Sequence, residues 1–425
     1  MSNARPLGLW SATALVVGSM IGSGAFLLPS ALAPFGTASL VGWAVTLCGA
    51  LLLASTFARL SAQWPQSGGP YIYARNAFGE LVGFTVAWSY WISVWCANAA
   101  IAVAFAGSLG ALVPAATSTP ARSAACALFA LWACTFVNLA GVREAGRMQV
   151  VTTVLKLLPL LLFGGIAVWA VDTSSLTFNP TGQSLPSVAQ STVALTLWAL
   201  LGLEAATVPA GAVDDAERTV PRATLIGTLL AGIATVLACT TVVALLPSAQ
   251  LANSSAPMAD TARLLWGPTA GRVLAAVMAV SCFGALNGWV LVCGQVSLAS
   301  ARDGVFPALF ERCDKRGTPV AGLLIGSALS SVLVMSNYSH SLVQVFTFSI
   351  LLSTAATLLP YVVSSAAWLR QRGRPGRVIA ALALVYALYA LSGIGGEALA
   401  WGGVLILAGM PLYAWRRFLS QPQRR

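Results

Sequence analysis

Charge is what this sequence is shortest of. Only 8% of its 425 residues are Asp, Glu, Lys or Arg, whereas soluble domains carry about 25%. An ordinary soluble globular domain is therefore excluded. Histidine is scarcer still: the single residue, His340, falls in a short loop between apolar runs, which rules out a His-based metal or catalytic centre. The eight cysteines include no C-x-x-C pair, and seven lie within apolar segments. They read as small packing residues, neither a disulfide framework nor a metal site. No cofactor or metal is expected. No intramembrane Asp pair, His-x-x-x-His site or Gly-x-Ser-x-Gly elbow occurs, which argues against an enzyme. Long polar linkers and low-complexity tracts are also absent, so one membrane domain over residues 1–425 is the expected organisation.

What fills the chain is apolar: 58% of residues are hydrophobic. About twelve stretches are long enough to cross a bilayer, near 8–32, 38–60, 81–112, 123–142, 148–171, 189–211, 222–246, 270–300, 320–338, 341–369, 377–394 and 398–415. Ala31-Leu32-Ala33 has the form of a signal-peptide cleavage site. The apolar run before it is too long for an h-region and only Arg5 marks an n-region, so the run reads as a spanning segment. The net charge of +11 is explained by placement and calls for no nucleic acid. Nineteen of the 23 Lys and Arg residues fall in alternate gaps and tails: Arg5, Arg59, Arg75, Arg143, Arg147, Arg218, Arg222, Arg302, Arg312, Lys315, Arg316, Arg370, Arg372, Arg374, Arg377, Arg416, Arg417, Arg424 and Arg425. Arg122, Arg263 and Arg272 fall on the opposite side, and Lys156 lies within a segment. The positive-inside rule then puts both termini in the cytoplasm, with an even number of crossings of the cell inner membrane.

One acid breaks the pattern. Glu204 sits deep in an apolar run, six positions after Trp198, while the other eleven acids fall in or beside the breaks. A carboxylate in hydrocarbon costs about 2.5–3.5 kcal/mol even on lenient scales, so Glu204 marks a proton-linked substrate site. Two segments carry interruptions at matching places: Gly18-Ser-Met-Ile-Gly-Ser-Gly24 followed by Pro29, and Leu200-Leu-Gly-Leu-Glu204 followed by Pro209. Interrupted segments in corresponding halves point to a transporter binding site. They are five segments apart, and an odd-numbered unit can recur only upside down, as an inverted repeat. Unwound backbone beside a half-helix N-terminus favours a carboxylate, and carbonyls freed at a half-helix C-terminus suit an ammonium. An α-amino acid is the ligand these groups describe. Close helix packing through small residues also fits the glycines.

Several spaced motifs carry a family likeness: Gly22-Ser-Gly-Ala-Phe-Leu-Leu-Pro29, Ser67-Gly-Gly-Pro-Tyr-Ile-Tyr-Ala-Arg75, Thr196-Leu-Trp-Ala-Leu-Leu-Gly-Leu-Glu204, Gly288-Trp289 and Asp303-Gly-Val-Phe-Pro307. Nearly end to end, the chain resembles the amino acid–polyamine–organocation superfamily. Within it the likeness is to the basic amino acid/polyamine antiporters, above all the arginine/agmatine branch. The resemblance implies an all-α polytopic fold of 12 transmembrane helices. A five-plus-five inverted repeat with discontinuous helices 1 and 6 would span about 8–171 and 189–369. Two extra helices would follow at about 377–415, and the fold often forms a homodimer. It also implies site residues. Met20, Gly22, Ser23 and Gly24 would meet the carboxylate and amine, and Ser93, Val94, Asn98 and Ile101 would line the side-chain pocket. Trp198 would stack on the ligand and Leu201 would offer backbone to its amine. Trp289 matches a second aromatic wall and Ser353 a polar contact. Tyr71, Tyr90 and Glu204 match gating and proton-sensitive positions. A tryptophan face supplies roughly 2 kcal/mol to a desolvated cation and releases it readily.

Other readings of these residues stay open. Trp198 and Trp289 also fit interfacial anchors, Tyr90 fits the core, and Asn98 fits an interhelical hydrogen bond. Lys156 departs from the arginine/agmatine pattern. It resembles instead a lysine of proton-coupled and neutral amino-acid carriers, where an ammonium braces the first, fifth and eighth helices; a snorkelling lysine is the plainer alternative. Its charge near the site would disfavour a dicationic substrate. The sequence thus implies a secondary amino-acid antiporter, exchanging arginine for agmatine, that works on small molecules within membrane lipid. A neutral amino-acid carrier dependent on Lys156 is the first alternative. A non-transporting amino-acid sensor is the second, and it would need a signalling appendage that the short tails do not supply.

Overall fold

In a computed structural model the described residues are 7–22, 24–66, 68–140, 157–208, 210, 213–315, 317–337, 339–371, 373 and 375–419. Ser23, Ser67, Lys156 and Pro209 lie outside them, as do Arg5, Arg143, Arg147, Arg316, Arg372, Arg374, Arg424 and Arg425 of the basic set. The described chain is helical throughout, apart from its connections and one isolated parallel bridge between Leu7 and Val213. Helix is what a lipid-embedded chain requires, because it satisfies every backbone N–H and C=O within the segment.

The first segment is two helices, α1 (Leu9–Met20) and α2 (Gly24–Leu32). Ile21 turns extended at the junction, with φ −79° and ψ 94°. After a 3₁₀ turn at Ala33–Ala38 come α3 (Ser39–Gln63) and the short α4 (Pro70–Phe78). Then follow α5 (Glu80–Leu112), α6 (Pro120–Ala140) and α7 (Leu157–Ala170). The sixth segment is α8 (Leu185–Trp198), followed by α9 (Ala216–Leu245), α10 (Ser248–Asn253), α11 (Pro257–Trp266) and α12 (Pro268–Arg302). The chain closes with α13 (Val320–Ser336), α14 (Leu342–Arg370), α15 (Arg377–Ser392), α16 (Gly396–Leu407) and α17 (Met410–Leu419).

Seven described helical stretches are long and apolar enough to cross a membrane, and α7, α13 and α15 are shorter apolar helices. Hydrophobic on every face and buried along nearly its whole length, α5 is the axis of the molecule. It packs most extensively against α14 and α12, while α3 packs against α9 and α8. Large apolar side chains such as Trp169, Val385 and Leu407 point outward, as lipid contact requires.

The helices depart from the expected segments in three places. α8 begins at Leu185, four residues before the expected boundary, because Pro186 starts a helix well at its first turn. The gap near 247–269 holds α10 and α11. The last segment is broken at Ala408–Gly409: the Trp88 indole N–H donates to the Leu405 carbonyl at 3.0 Å. A Cβ on Gly409 would stand 2.5 Å from that indole nitrogen. The ring fills a notch that only glycine leaves open.

Candidate functional site

The two helix interruptions meet each other. A Cβ on Gly24, at the start of α2, would lie 3.0 Å from the Cα of Ala199, just past the end of α8. A Cβ on Gly202 would lie 3.0 Å from the Cβ of Ser19, near the end of α1. Gly202 also has φ +99°, a backbone region that side chains strain to reach. Beyond Trp198 the backbone tightens: Leu200 N–H donates to Leu197 O and Leu201 N–H to Trp198 O. A single 3₁₀ turn then runs from Ala205 to Thr207. Glu204 is placed at the head of that turn.

Around this junction lies a narrow cavity, partly open to solvent. Ser19, Met20, Gly22 and Gly24 contribute from the first break. From α5 come Tyr90, Ser93, Ala97 and Ile101, spaced to share one helix face. Trp198, Leu201 and Glu204 border the second break, Trp289 enters from α12, and Ser353 and Thr357 face in from α14.

Glu204 is 1% exposed. Its Oε1 accepts from the Tyr90 hydroxyl at 2.8 Å and its Oε2 from the Tyr361 hydroxyl at 2.6 Å. Hydrogen bonds to a charged acceptor are the strong kind, and here two continuous helices, α5 and α14, hold one carboxylate on the broken segment. The Trp289 indole N–H donates to the Ser19 carbonyl at 3.3 Å, which ties α12 to the unravelled end of α1. Across the α5–α14 seam, Ser353 donates to the Ser93 carbonyl at 2.7 Å and Ser89 to the Ala356 carbonyl at 2.6 Å.

Most of the residues singled out in the sequence come together here. Met20, Gly22, Gly24, Ser93, Ile101, Trp198, Leu201, Trp289, Ser353, Tyr90 and Glu204 all border the space. Val94 and Asn98 are buried on α5 but do not border it, and Ala97 stands on that face instead. The Asn98 amide has no hydrogen-bond partner among the described residues. Tyr71, on α4, is also outside the cavity and accepts from the Arg75 guanidinium at 3.1 Å. Burial pushes the Tyr71 phenol above its usual pKa, with Arg75 opposing. Ser23 and Lys156 are outside the described residues.

Four residues were not foreseen: Ser19, Ala97, Thr357 and Tyr361. Thr357 lies one helical turn beyond Ser353, so the i, i+4 spacing pointed to it. Ser19 directly precedes the Met20–Gly24 run. Tyr361, in an apolar run after Pro360, carried no distinguishing signal. Among the described residues no group of three His, Cys, Asp or Glu side chains is placed to hold a metal. The chemistry on offer is backbone polarity, two indole faces, hydroxyls and one carboxylate.

Comparison with known proteins places this geometry in a family. The amino acid permease profile matches residues 7–408. Putrescine transporter PotE of Escherichia coli (strain K12) is 32% identical over 428 aligned positions, covering 97% of each chain. The Haemophilus influenzae protein of the same name is 31% identical, covering 97% of this chain and 98% of its own. The cadaverine/lysine antiporter of E. coli K12 is 31% identical over 426 positions, covering 97% and 96%. With the match running along almost the whole chain, and with its long apolar helices, this protein belongs to the amino acid permease family and is a multi-pass membrane protein.

Proposed function

We propose that this permease is an antiporter that exchanges a cationic amino acid for the amine left by its decarboxylation. One observation carries the reading: a buried carboxylate, Glu204, stands in a cavity walled by Trp198 and Trp289 at the meeting point of two broken helices. The first turn of α2, which begins at Gly24, has backbone N–H groups without partners inside the helix, which suits an α-carboxylate. Indole faces and one shared carboxylate attract a cation without a permanent tight ion pair, so the ligand can leave. The substrates in the relatives' names, putrescine for one and cadaverine with lysine for another, fall in this class. Arginine with agmatine is the pair named from the sequence.

The reading takes the chain as one transporter domain of twelve crossings. Residues 8–171 and 189–369 form inverted repeats, residues 377–415 stand outside them, and both termini lie on the cytoplasmic face of an inner membrane. Alternating access then comes from one helix group rocking against the other about the central cavity. Purified protein in proteoliposomes tests it. Vesicles loaded with a diamine or agmatine should take up labelled lysine, ornithine or arginine only when the internal amine is present. Uptake that ignores internal amine would remove antiport, and uptake of neutral amino acids alone would transfer the reading to the Lys156-dependent alternative.

A further inference from the structure

The chain between α14 and α15 reads Gln371-Arg-Gly-Arg-Pro-Gly-Arg377, and no acid occurs anywhere between Asp314 and Glu397. The charge at the start of α15 is therefore the reverse of what a helix favours. A helix N-terminus carries partial positive charge and is stabilised by acids in its first turn, yet α15 opens with Arg377 and has none. A second cation stands at the same point, from α3: a Cβ on Gly376, the residue that caps α15, would lie 2.5 Å from the Arg59 guanidinium carbon. The Arg59 Nε is buried without a hydrogen-bond partner among the described residues, as is the Gln371 amide nitrogen. Among those residues Arg59 otherwise reaches only the Pro375 carbonyl, at 3.5 Å, and Arg377 only the Leu369 carbonyl, at 3.1 Å. Neither has a carboxylate partner there. Arg370 lies instead over the Phe78 ring, 5.5 Å from its centre. Beyond Arg377 the outward surface turns apolar at once. Val378, Leu382 and Val385 share one exposed face of α15, while Ala380, Ala383 and Ala387 are buried where the helix packs on α14 and α3. Two unpaired cations thus head a strip of exposed hydrocarbon.

We propose that the start of α15, together with Arg59, is a binding site for one anionic phospholipid. Arg59, Arg377 and the backbone N–H groups that open α15 hold the phosphate, and an acyl chain lies along Val378, Leu382 and Val385. The site goes beyond the exchange reading and does not depend on which substrate is carried. Phosphate suits these groups because a guanidinium fork pairs with two of its oxygens at once, and the N–H groups of a first helical turn have no partners inside the helix. A lipid suits them better than a soluble anion, because the hydrocarbon strip begins one residue past Arg377, and arginines at the end of a membrane helix attract anionic headgroups. A second copy of this chain suits them worse: a two-fold contact centred on this face would bring two arginine-bearing helix starts together. With one arginine on α3 and the other on α15, the bound headgroup also braces those two helices against each other.

Thermal melting of the purified protein in neutral detergent tests the site without any transport step, so its failure is separable from a failure of antiport. Dioleoyl phosphatidylglycerol should raise the melting midpoint at roughly a tenth or less of the concentration that dioleoyl phosphatidylcholine needs, since each arginine at such a surface is worth about fivefold. Native mass spectrometry should find one phosphatidylglycerol retained per chain. Arg59→Gln and Arg377→Gln should each cut the preference about fivefold, and Arg377→Lys, which keeps the charge, should retain most of it. Equal potency of the two lipids would overturn the site. So would a preference unchanged in both glutamine variants, which would put the lipid elsewhere. Glycerol 3-phosphate supplies the soluble-anion arm: if it alone reproduces the stabilisation, the occupant is not a lipid and the proposal falls. Light scattering supplies the second-copy arm. A dimer that Leu382→Asn splits, with the phosphatidylglycerol preference unaltered, would make this face a contact between copies and overturn the lipid site. If Arg59→Gln fails to assemble, Arg377→Gln and the wild-type lipid panel decide.

Discussion

Tyr361 and Tyr90 hold opposite oxygens of one buried carboxylate. Tyr361 reaches Glu204 Oε2 from α14 at 2.6 Å, and Tyr90 reaches Oε1 from α5 at 2.8 Å. Glu204 belongs to the irregular stretch after α8, whereas the two tyrosines stand on long unbroken helices. The clamp therefore fastens the deformable part of the molecule to its rigid axis, directly beside the cavity. Adding a proton to Glu204 removes negative charge from both hydrogen bonds at once, and neutral hydrogen bonds are roughly half as strong as charge-assisted ones. Protonation thus loosens the clamp.

Glu204→Gln should flatten the pH dependence of exchange, because the amide keeps the shape and cannot titrate. Tyr361→Phe should keep a pH dependence and lower the exchange rate, since one clamp arm worth about 1.5–3 kcal/mol is lost. Initial rates across a pH series in proteoliposomes separate the two. A Glu204→Gln protein with the wild-type pH profile would assign proton sensing to another group.

Trp198→Leu should weaken binding of a cationic substrate by about tenfold, through loss of a cation–π face worth roughly 1–2 kcal/mol. The ring borders the cavity and is 8% exposed, so little else fills its place. Trp198→Phe should recover part of the loss. Thermal-shift titration of purified protein reads the affinities, and equal midpoints for Trp198 and Leu would take the ring out of the site.

The helix breaks were legible in the sequence because glycine clusters and a buried acid have no ordinary use in a spanning segment. Gly22, Gly24 and Glu204 were found on that logic, Trp198 by the family likeness, and all four stand around one cavity. Tyr361 was not, because a tyrosine in an apolar run looks the same whether it packs or donates. Its partner lies 157 positions away, and only the fold brings them together. Asn98 illustrates the converse. It shares a helix with four cavity residues, yet the cavity face passes through its neighbour Ala97. A shift of one residue turns a helical side chain by about 100°, finer than a likeness between distant sequences resolves.

The glycines of the first break should differ in how they tolerate a methyl group. At Gly22 the nearest atom to a new Cβ is the Ala285 Cβ at 3.6 Å, an ordinary contact. At Gly24 it is the Ala199 backbone at 3.0 Å, which has no flexible end to move aside. Gly24→Ala should therefore lower thermal stability and exchange together, whereas Gly22→Ala should leave thermal stability near the wild-type value. Gly202→Ala should resemble Gly24→Ala, because strain at positive φ, about 1 kcal/mol or more, adds to its contact with Ser19. Melting curves in detergent rank the three, and a stable Gly24→Ala protein would show that the two breaks can separate without cost.

Trp88 should matter to assembly more than to affinity. Its ring fills the notch at Gly409, its N–H takes the Leu405 carbonyl, and Tyr413 of α17 packs on nearby Phe84 with ring centres 5.1 Å apart. Together these contacts attach the last two helices to α5. Trp88→Phe removes the donor to the part-buried Leu405 carbonyl, a loss of about 0.5–1.5 kcal/mol. Gly409→Leu should cost at least as much by driving a side chain into the indole. Both variants should melt earlier and bind substrate with unchanged affinity, since Trp88 does not border the cavity. If instead affinity falls while the melting point holds, the attachment transmits to Tyr90, two residues further along α5, and the terminal helices take part in gating.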